Sequence, residues 1–216
     1  MKLSKSSKAW IREHINDPYV QRAKKEGYRS RAAYKLLEID ARDKLLRPGQ
    51  VVVDLGATPG GWSQIAARRI QPGGKLVAID LLELEPLPNC EFVCADFREQ
   101  AGLDKLMLAL AGRRVDLVLS DMAPNISGIE SADQARGIEL AELALEFSNT
   151  VLQPGGAFLV KVFQGAGFES FHRAMRGVFA SVMTRKPDAS RSRSAEVYLL
   201  GKGFIAPTRP DPLLEG

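Results

Sequence analysis

The sequence predicts an α/β fold, in which a seven-stranded, mostly parallel sheet has an antiparallel last strand and carries helices on both faces. Short, β-branched apolar runs alternate along the chain with stretches of helical periodicity. A glycine-rich turn follows the first of these runs and leads into a helical stretch, as in a strand-to-helix connection. The last two runs are joined by a serine- and arginine-rich segment without helical periodicity, so we expect these two strands to form an antiparallel hairpin.

Each element has its own signal in the sequence. Ser30 is the expected cap of a helix that residues 47–50 should end, and its apolar stripe consists of Ala33, Leu36, Leu37 and Leu45. Strands are predicted over residues 51–55, 75–80, 91–95, 115–120, 157–163, 181–184 and 196–200. Three further helices should bury one face each, formed by Trp62, Ile65, Ala66 and Ile70, by Leu140, Leu143, Phe147 and Val151, and by Phe168, Phe171, Met175 and Phe179.

The chain has the length of one domain with a short appendage, since it contains 216 residues. We expect a basic, helical N-terminal arm over residues 1–29, the main domain over 30–204 and a flexible C-terminal tail over 205–216. No apolar stretch is as long as a membrane span, and the first residues lack the apolar block of a secretory signal, so we expect a cytoplasmic protein. Two cysteines cannot build a disulfide framework, and no metal site is expected.

Positive charge is concentrated at the N-terminus. Residues 1–35 contain ten Lys or Arg against three Asp or Glu, a net charge of +7, whereas the rest of the chain has a net charge of −3. Such a block is either a solvated face or a segment that binds a polyanion, for which nucleic acid is the natural candidate.

The turn after the first predicted strand reads DLGATPGGWS and is the expected cofactor cradle. Gly56, Gly60 and Gly61 allow close backbone approach, because glycine has no Cβ. A nicotinamide or flavin site would show G-x-G-x-x-G, but Thr58 stands where the middle glycine should be, and no G-K-[ST] of a P-loop is present. The turn instead resembles the first motif of class I S-adenosylmethionine-dependent methyltransferases.

Acidic residues end the next two predicted strands. Asp80 follows Asp54 by 26 residues and can accept hydrogen bonds from two ribose hydroxyls. Asp96 follows the third strand, where methyltransferases of this class commonly hold the adenine amino group. A single Asp at a strand end is more often a turn or cap residue, but the joint occurrence of Asp54, Gly56, Gly60, Asp80 and Asp96 at successive strand ends favours a cofactor site.

The second half of the chain carries the residues expected at the acceptor. Asp121 opens the segment DMAPN after the fourth strand, and this segment has no aromatic residue to stack on a base, which argues against a base amine as acceptor. Lys161 lies in an apolar, central strand, where a charge is costly unless it is paired or functional. Glu196 begins the last strand, and Lys35 lies on the helix before the first.

These positions carry a specific resemblance. Lys35, Asp121, Lys161 and Glu196, together with DLGATPGGWSQ and SDMAPN, resemble the K-D-K-E tetrad and cofactor motifs of the FtsJ/RrmJ (RlmE) family of ribosomal RNA ribose 2′-O-methyltransferases. The resemblance covers the chain from about residue 10 to residue 204. It implies a Rossmann-like class I methyltransferase fold, and a reaction at the 2′-hydroxyl of a uridine in the large-subunit (23S) ribosomal RNA during ribosome maturation. Ala-Thr-Pro in the turn departs slightly from the more usual Ala-Ala-Pro.

The resemblance also implies a role for each site residue. S-adenosylmethionine would be bound by Gly60, Trp62, Asp80, Asp96 and Asp121. Lys161 would act on the acceptor oxygen, either as general base or as a charged stabiliser of the developing alkoxide. Asp121 and Glu196 would orient the lysines, and Lys35 would steer the target ribose or its phosphate.

The expected partner is ribosomal RNA, within the large subunit or free, and neither DNA nor membrane; we expect a monomer. RNA contacts are predicted at Lys5, Lys8, Arg22, Lys24, Lys25, Arg29, Arg31, Arg191 and Arg193. Two alternatives remain: a dinucleotide-dependent oxidoreductase, and a non-catalytic RNA-binding module on the same fold.

Overall fold

The computed structural model describes residues 16–124, 127–191 and 194–205. Within them the helices are α1 Pro18–Glu26, α2 Ala32–Asp43, α3 Gly61–Arg69, α4 Gln100–Leu110, α5 Glu130–Val151 and α6 Phe168–Val178. The strands are β1 Val51–Leu55, β2 Lys75–Asp80, β3 Cys90–Cys94, β4 Val115–Ser120, β5 Leu152–Phe163, β6 Phe179–Arg185 and β7 Glu196–Phe204. No helix of these residues is long and apolar enough to cross a membrane.

The seven strands form one sheet in the order β3-β2-β1-β4-β5-β7-β6. Strands β1 to β5 pair in parallel, whereas β7 lies between β5 and β6 and is antiparallel to both. The predicted hairpin and the antiparallel last strand are therefore confirmed. Because the strand order reverses between β1 and β4, their carboxyl ends flank the crevice in which such sheets bind ligands.

Helices cover both faces of the sheet, as predicted. One face is packed by α4, α5 and α6 through buried residues such as Leu106, Ala141 and Met175. The other face is packed by α2 and α3, whose Leu36 and Ile65 contact the sheet. Of the residues predicted to form helix faces, Leu37, Leu140, Leu143 and Phe168 are only partly buried.

The expected cap of α2 is wrong. Arg31 occupies the N-cap position without a side-chain hydrogen bond. The Ser30 side chain lies instead against Gly61, where a Cβ would stand 2.3 Å from the Ser30 Oγ. The helix also ends before residues 47–50, because Lys44 adopts a left-handed φ of 52° and the Asp40 carboxylate accepts the backbone N–H groups of the two following residues.

Several strand boundaries differ from those predicted. β3 begins one residue earlier than predicted, and β5 begins at Leu152 instead of residue 157. β6 extends beyond its predicted range at both ends, and β7 extends beyond its predicted carboxyl end. The longer pairing explains this, since the register joins Ala157 to Lys202 and Phe179 to Phe204. Residues in these extensions lack a clear alternating pattern and are held in the sheet by neighbouring strands. Helix α3 ends at Arg69, so Ile70, which was expected on its buried face, is its C-cap.

Candidate active site

Four residues predicted as a tetrad lie together at the carboxyl end of the sheet. Lys35 Nζ is 2.6 Å from Glu196 Oε1, and Lys161 Nζ is 3.1 Å from Asp121 Oδ1. Each side chain is at most 17% exposed, so the two ion pairs are largely shielded from solvent. The cluster therefore contains two ammonium groups and two carboxylates in one partly buried site.

The order of the strands explains how residues so distant in sequence meet. β4 and β5 pair with Ser120 opposite Val160, which places Asp121 beside Lys161. β5 and β7 are neighbours, so Glu196 at the start of β7 lies at the same edge. Helix α2 packs on this face and supplies Lys35.

Tyr198 is a site residue that the sequence analysis missed. Its hydroxyl donates to Asp121 Oδ1 at 2.8 Å and lies 3.4 Å from Glu196 Oε1, so it connects the two carboxylates. Its fully buried ring lies beside Trp62 and beneath Lys35 Nζ, with 5.6 Å to the Trp62 ring centroid and 5.6 Å from Nζ to the Tyr198 centroid. The available signal was a polar hydroxyl two residues after Glu196 in an otherwise apolar strand.

The ionisation of the site follows from these contacts. Burial by itself raises the pKa of Asp121, but the ammonium groups of Lys161 and Lys35 and the Tyr198 hydrogen bond outweigh it, so the pKa lies below its usual value. Burial, and next the negative charge of Asp121, raise the pKa of Tyr198 well above 10, so its hydroxyl remains a donor. Lys161 Nζ also donates to the backbone carbonyl of Asp121 at 2.5 Å.

A cavity of about 350 Å³ adjoins the tetrad at Asp121, and we call it the donor cavity. Its walls include Asp80 and Asp96, which end or follow β2 and β3 as predicted. Both carboxylates are held in place: Asp80 accepts the Thr58 backbone N–H at 2.9 Å, and Asp96 pairs with Arg98 at 2.6 Å.

A smaller cavity of about 160 Å³ shares Gly56, Thr58 and Asp121 with the donor cavity. Asp54 lies in its wall, fully buried, with Oδ2 accepting the Ser63 hydroxyl at 2.6 Å and Oδ1 without a hydrogen-bond partner among the described residues. Burial raises the pKa of Asp54 to about 7. A buried carboxylate oxygen without a hydrogen-bond partner costs free energy. We therefore expect a bound ligand to supply a hydrogen-bond donor here.

Glycines in the turn have different roles. Gly56, with φ +75°, lines both cavities, and a Cβ there would stand 2.5 Å from Met122 Cγ. Gly60 is the N-cap of α3 with φ +106°, and the space beside it is taken by the Arg29 side chain, 2.9 Å from where a Cβ would be. Trp62 lines the smaller cavity and donates its Nε1–H to the Ala32 carbonyl at 2.8 Å.

Part of the predicted basic surface is engaged within the protein. Arg29 donates to the carbonyls of Glu85 and Pro86, and Arg31 pairs with Asp17. Arg22 pairs with Glu26 one turn later and lies over the Tyr34 ring, and Arg191 is half-buried.

Lys24 and Lys25 are exposed at the end of α1. Lys5, Lys8 and Arg193 lie outside the described residues. No cluster that could hold a metal ion occurs in the part of the chain that the structure describes.

Comparisons with known proteins give the site its context. Residues 28–204 match the family described as FtsJ-like methyltransferase. A relative from Azoarcus sp. (strain BH72), named Ribosomal RNA large subunit methyltransferase E, is 62% identical over 201 residues, which cover 93% of this chain and 98% of that protein. A protein of the same name from Dechloromonas aromatica is 61% identical over 202 residues, covering 94% of this chain and 98% of the relative.

A solved structure from Plasmodium falciparum, described as a ribosomal RNA methyltransferase, superposes with a TM-score of 0.76 at 29% identity. The match covers 83% of this chain and all of the other. The chain matches methyltransferases and lacks the G-x-G-x-x-G motif of dinucleotide-binding sites. Both observations argue against the oxidoreductase alternative. From its motifs, its sheet order and the match over most of its length, we conclude that this chain belongs to the FtsJ-like methyltransferase family.

Proposed function

We propose that this protein transfers the methyl group of S-adenosylmethionine to the ribose 2′-hydroxyl of a uridine in large-subunit (23S) ribosomal RNA. The observation that carries the proposal is the pair of buried ammonium–carboxylate contacts beside the donor cavity. Relatives that are 61–62% identical over nearly the whole chain are named for large-subunit ribosomal RNA methylation, which supports the same substrate class.

Residues of the two cavities suit S-adenosylmethionine. Asp80 and Asp96 would accept hydrogen bonds from the ribose hydroxyls and the adenine amino group. The orphaned Oδ1 of Asp54 would accept from the α-ammonium group, next to the close backbone approach that Gly56 permits. When bound, this cofactor supplies an electrophilic methyl group on a sulfonium, and Asp121 lies where both cavities meet.

Lys161 is the residue that we assign to the acceptor oxygen. A ribose hydroxyl is a weak acid, and its proton must pass to solvent water as its oxygen takes the methyl group. The Lys161 ammonium spends two donors on the carboxylate and the carbonyl of Asp121, which leaves one donor for the acceptor oxygen. Lys161 is thereby held in one orientation and stabilises negative charge that develops on this oxygen.

The other members of the tetrad hold this arrangement. Asp121, whose lowered pKa keeps it ionised at neutral pH, fixes Lys161. Glu196 is held by Lys35 at 2.6 Å and accepts the Ser190 hydroxyl at 2.8 Å, so it is a fixed anion opposite the acceptor. Lys35 would contact the target ribose or its phosphate through the donors that Glu196 does not use.

RNA would be held by the basic N-terminal arm, with Lys24 and Lys25 as its exposed, described members. Restriction to RNA follows from the acceptor, since DNA has no 2′-hydroxyl. We place the activity in the cytoplasm, where the ribosomes of bacterial relatives assemble, with the protein acting as a monomer.

Methyl transfer to ribosomal particles tests the proposal. Large subunits are isolated from cells that lack this activity and incubated with the full-length protein and tritiated S-adenosylmethionine. We expect label in one ribose of the 23S RNA, and none when the target nucleotide is replaced by its 2′-deoxy analogue. Lys161→Ala should lower kcat by about 10²- to 10³-fold, the usual effect of removing one donor that stabilises a developing oxyanion.

Lys105→Ala is the matched control, because Lys105 is an exposed lysine on α4 away from both cavities. It should retain full activity. Full activity of Lys161→Ala would refute the assigned role, and continued labelling of the 2′-deoxy substrate would move the acceptor to a base.

A further inference from the structure

An apolar cavity of about 300 Å³ lies beside the tetrad and is used by none of the roles assigned above. We call it the Phe163 cavity, because the Phe163 ring forms one wall, opposite the small side chains of Ala123, Pro124 and Ala195. A cavity of this composition takes a flat, uncharged group rather than a phosphate, since no cationic residue among those that the structure describes lines it.

The residues that line the Phe163 cavity are close in the sheet to Lys161 and Glu196. Phe163 follows Lys161 by two residues on β5 and is paired in register with Glu196. Ala195 directly precedes Glu196, and its carbonyl accepts the Gln164 N–H at 2.9 Å. Ala123 and Pro124 also line the donor cavity. The Phe163 cavity therefore adjoins the tetrad and is separated from the donor cavity by shared walls.

The Phe163 ring is held in a defined place. It lies against helix α5 at Gly137, where a Cβ would stand 3.2 Å from Phe163 Cδ2, so a larger residue at this position would require the ring to move by a few tenths of an ångström. The side chain is half-buried, which leaves part of the ring for a ligand. An aromatic ring that is already fixed loses little conformational entropy when a second ring stacks on it.

Two polar side chains in the wall, those of Asp133 and Gln134, accept hydrogen bonds from the backbone around the cavity. The Asp133 carboxylate accepts the Ser127 N–H at 2.8 Å and the Gly128 N–H at 3.1 Å, and so holds the loop that closes one side. The Gln134 side-chain oxygen accepts the Ala166 N–H at 3.3 Å and joins α5 to the segment after β5. These contacts join the backbone on two sides of the cavity to helix α5.

The geometry of a nucleotide indicates the occupant. The base is attached to C1′, the carbon next to the one that bears the reacting hydroxyl, so a ribose placed at Lys161 brings its base within a few ångströms of the tetrad. Proteins that read single-stranded RNA splay bases out and stack them on aromatic side chains. We propose that the Phe163 cavity receives the base of the nucleotide being methylated and stacks it on Phe163, an inference that rests on the proposed function.

A comparison of two substrates tests the proposal. Large subunits are reconstituted with 23S RNA that carries, at the mapped methylation position, either uridine or an abasic ribose that keeps its 2′-hydroxyl. With uridine, Phe163→Ala should lower kcat/KM roughly 5- to 150-fold, the range measured when a base loses its stacking partner. With the abasic ribose, wild type and Phe163→Ala should differ by less than about twofold, because the interaction is already absent.

Two further variants separate stacking from folding. Phe163→Tyr keeps the aromatic face and should retain wild-type activity on the uridine substrate. Phe163→Leu keeps an apolar side chain without a π-face, and it gives the same comparison if Phe163→Ala does not fold. Phe168→Ala is the matched control, because this half-buried aromatic residue stacks on His172 outside the cavity and should affect both substrates equally.

Each remaining outcome contradicts the inference. Equal losses with both substrates would make Phe163 a purely structural residue. A loss that disappears only when a neighbouring nucleotide is made abasic would assign the cavity to that nucleotide, and no loss with any RNA would leave it to a protein partner. Failure of the proposed function is distinct, since wild type would then not label the uridine substrate at all.

Discussion

The hydroxyl of Tyr198 joins the two acidic members of the tetrad, although no pairing of charges requires it. It donates to Asp121 and lies near Glu196, so one neutral residue positions two anions. Its raised pKa keeps the proton on the hydroxyl throughout the physiological range. Each ion pair in the site is therefore linked to the other by a group that does not titrate with them.

Removing this hydroxyl should impair the reaction without loss of the fold. Tyr198→Phe keeps the ring that packs on Trp62 and leaves Asp121 with one fewer donor. We expect kcat to fall about 10- to 150-fold, since a hydrogen bond to a charged group contributes about 1.5–3 kcal/mol. The cofactor Kd should be unchanged in a calorimetric titration, and a change in Kd without one in kcat would show that Tyr198 serves the donor cavity instead.

Asp54 should make the stability of the protein depend on pH. Burial raises its pKa to about 7, above the value of about 3.9 for an exposed Asp, so the folded state binds the proton more tightly. The resulting stabilisation is complete below about pH 3.9 and is lost as the pH rises through about 7. One pKa unit corresponds to about 1.4 kcal/mol, so the loss approaches about 4 kcal/mol at pH 8.

Asp54→Asn checks this, because the amide cannot ionise. Between pH 4 and pH 8 the free energy of unfolding of the wild type should fall a few kcal/mol further than that of the variant, as measured by urea denaturation. Parallel curves would show that the carboxyl is not destabilised by burial. The variant should also bind S-adenosylmethionine more weakly at pH 8, where the wild-type carboxylate is charged.

The junction between β1 and α3 supplies part of the wall of the donor cavity. Gly56 combines a left-handed φ of +75° with the close approach of Met122 from the segment after β4. The close approach follows from the neighbouring positions of β1 and β4 in the sheet. The motif DLGATPGG could be recognised in the sequence, but the contact with Met122 depends on strand order, which the pattern of a single turn does not contain.

Gly56→Ala should therefore cost more than a positive φ alone. Its Cβ would stand 2.5 Å from Met122 Cγ and 3.2 Å from Met122 Cα, whereas at Gly49, with φ +85°, a Cβ meets nothing within 4 Å. Gly49→Ala should lower the free energy of unfolding by about 1–2 kcal/mol, the cost of the left-handed conformation. Gly56→Ala should lower it further and weaken cofactor binding, and equal effects of the two variants would show that Met122 moves aside freely.

Positive charge is unevenly distributed along the chain, and we propose that RNA binding and methyl transfer use different parts of it. The positive excess lies in residues 1–35, whereas the tetrad contains as many acids as bases. Arg29 and Arg31 attach the N-terminal part to the domain, and Lys24 and Lys25 face solvent. Some basic residues near the N-terminus therefore hold the fold, and we propose that Lys24 and Lys25 contact RNA.

Replacing both exposed lysines should weaken RNA binding without slowing the chemical step. For Lys24→Ala/Lys25→Ala we expect KM for large subunits to rise, kcat to stay constant, and the slope of log KM against log salt concentration to fall by about 1–2. Lys105→Ala, which removes a charge from α4, should leave the slope unchanged. An unaltered slope in the double variant would place the RNA elsewhere.

The fold class could be predicted from β-branched runs and helical periods, which are properties of the linear pattern, and the chemistry from the resemblance of Lys35, Asp121, Lys161 and Glu196 to a known tetrad. The contacts among side chains could not be predicted in this way. The insertion of β7 between β5 and β6 brings Tyr198 to Asp121 and places Phe163 opposite Glu196, and it lengthens the strands beyond their local signals. Contacts between distant segments depend on strand order and register, and these are set by the packing of the whole core.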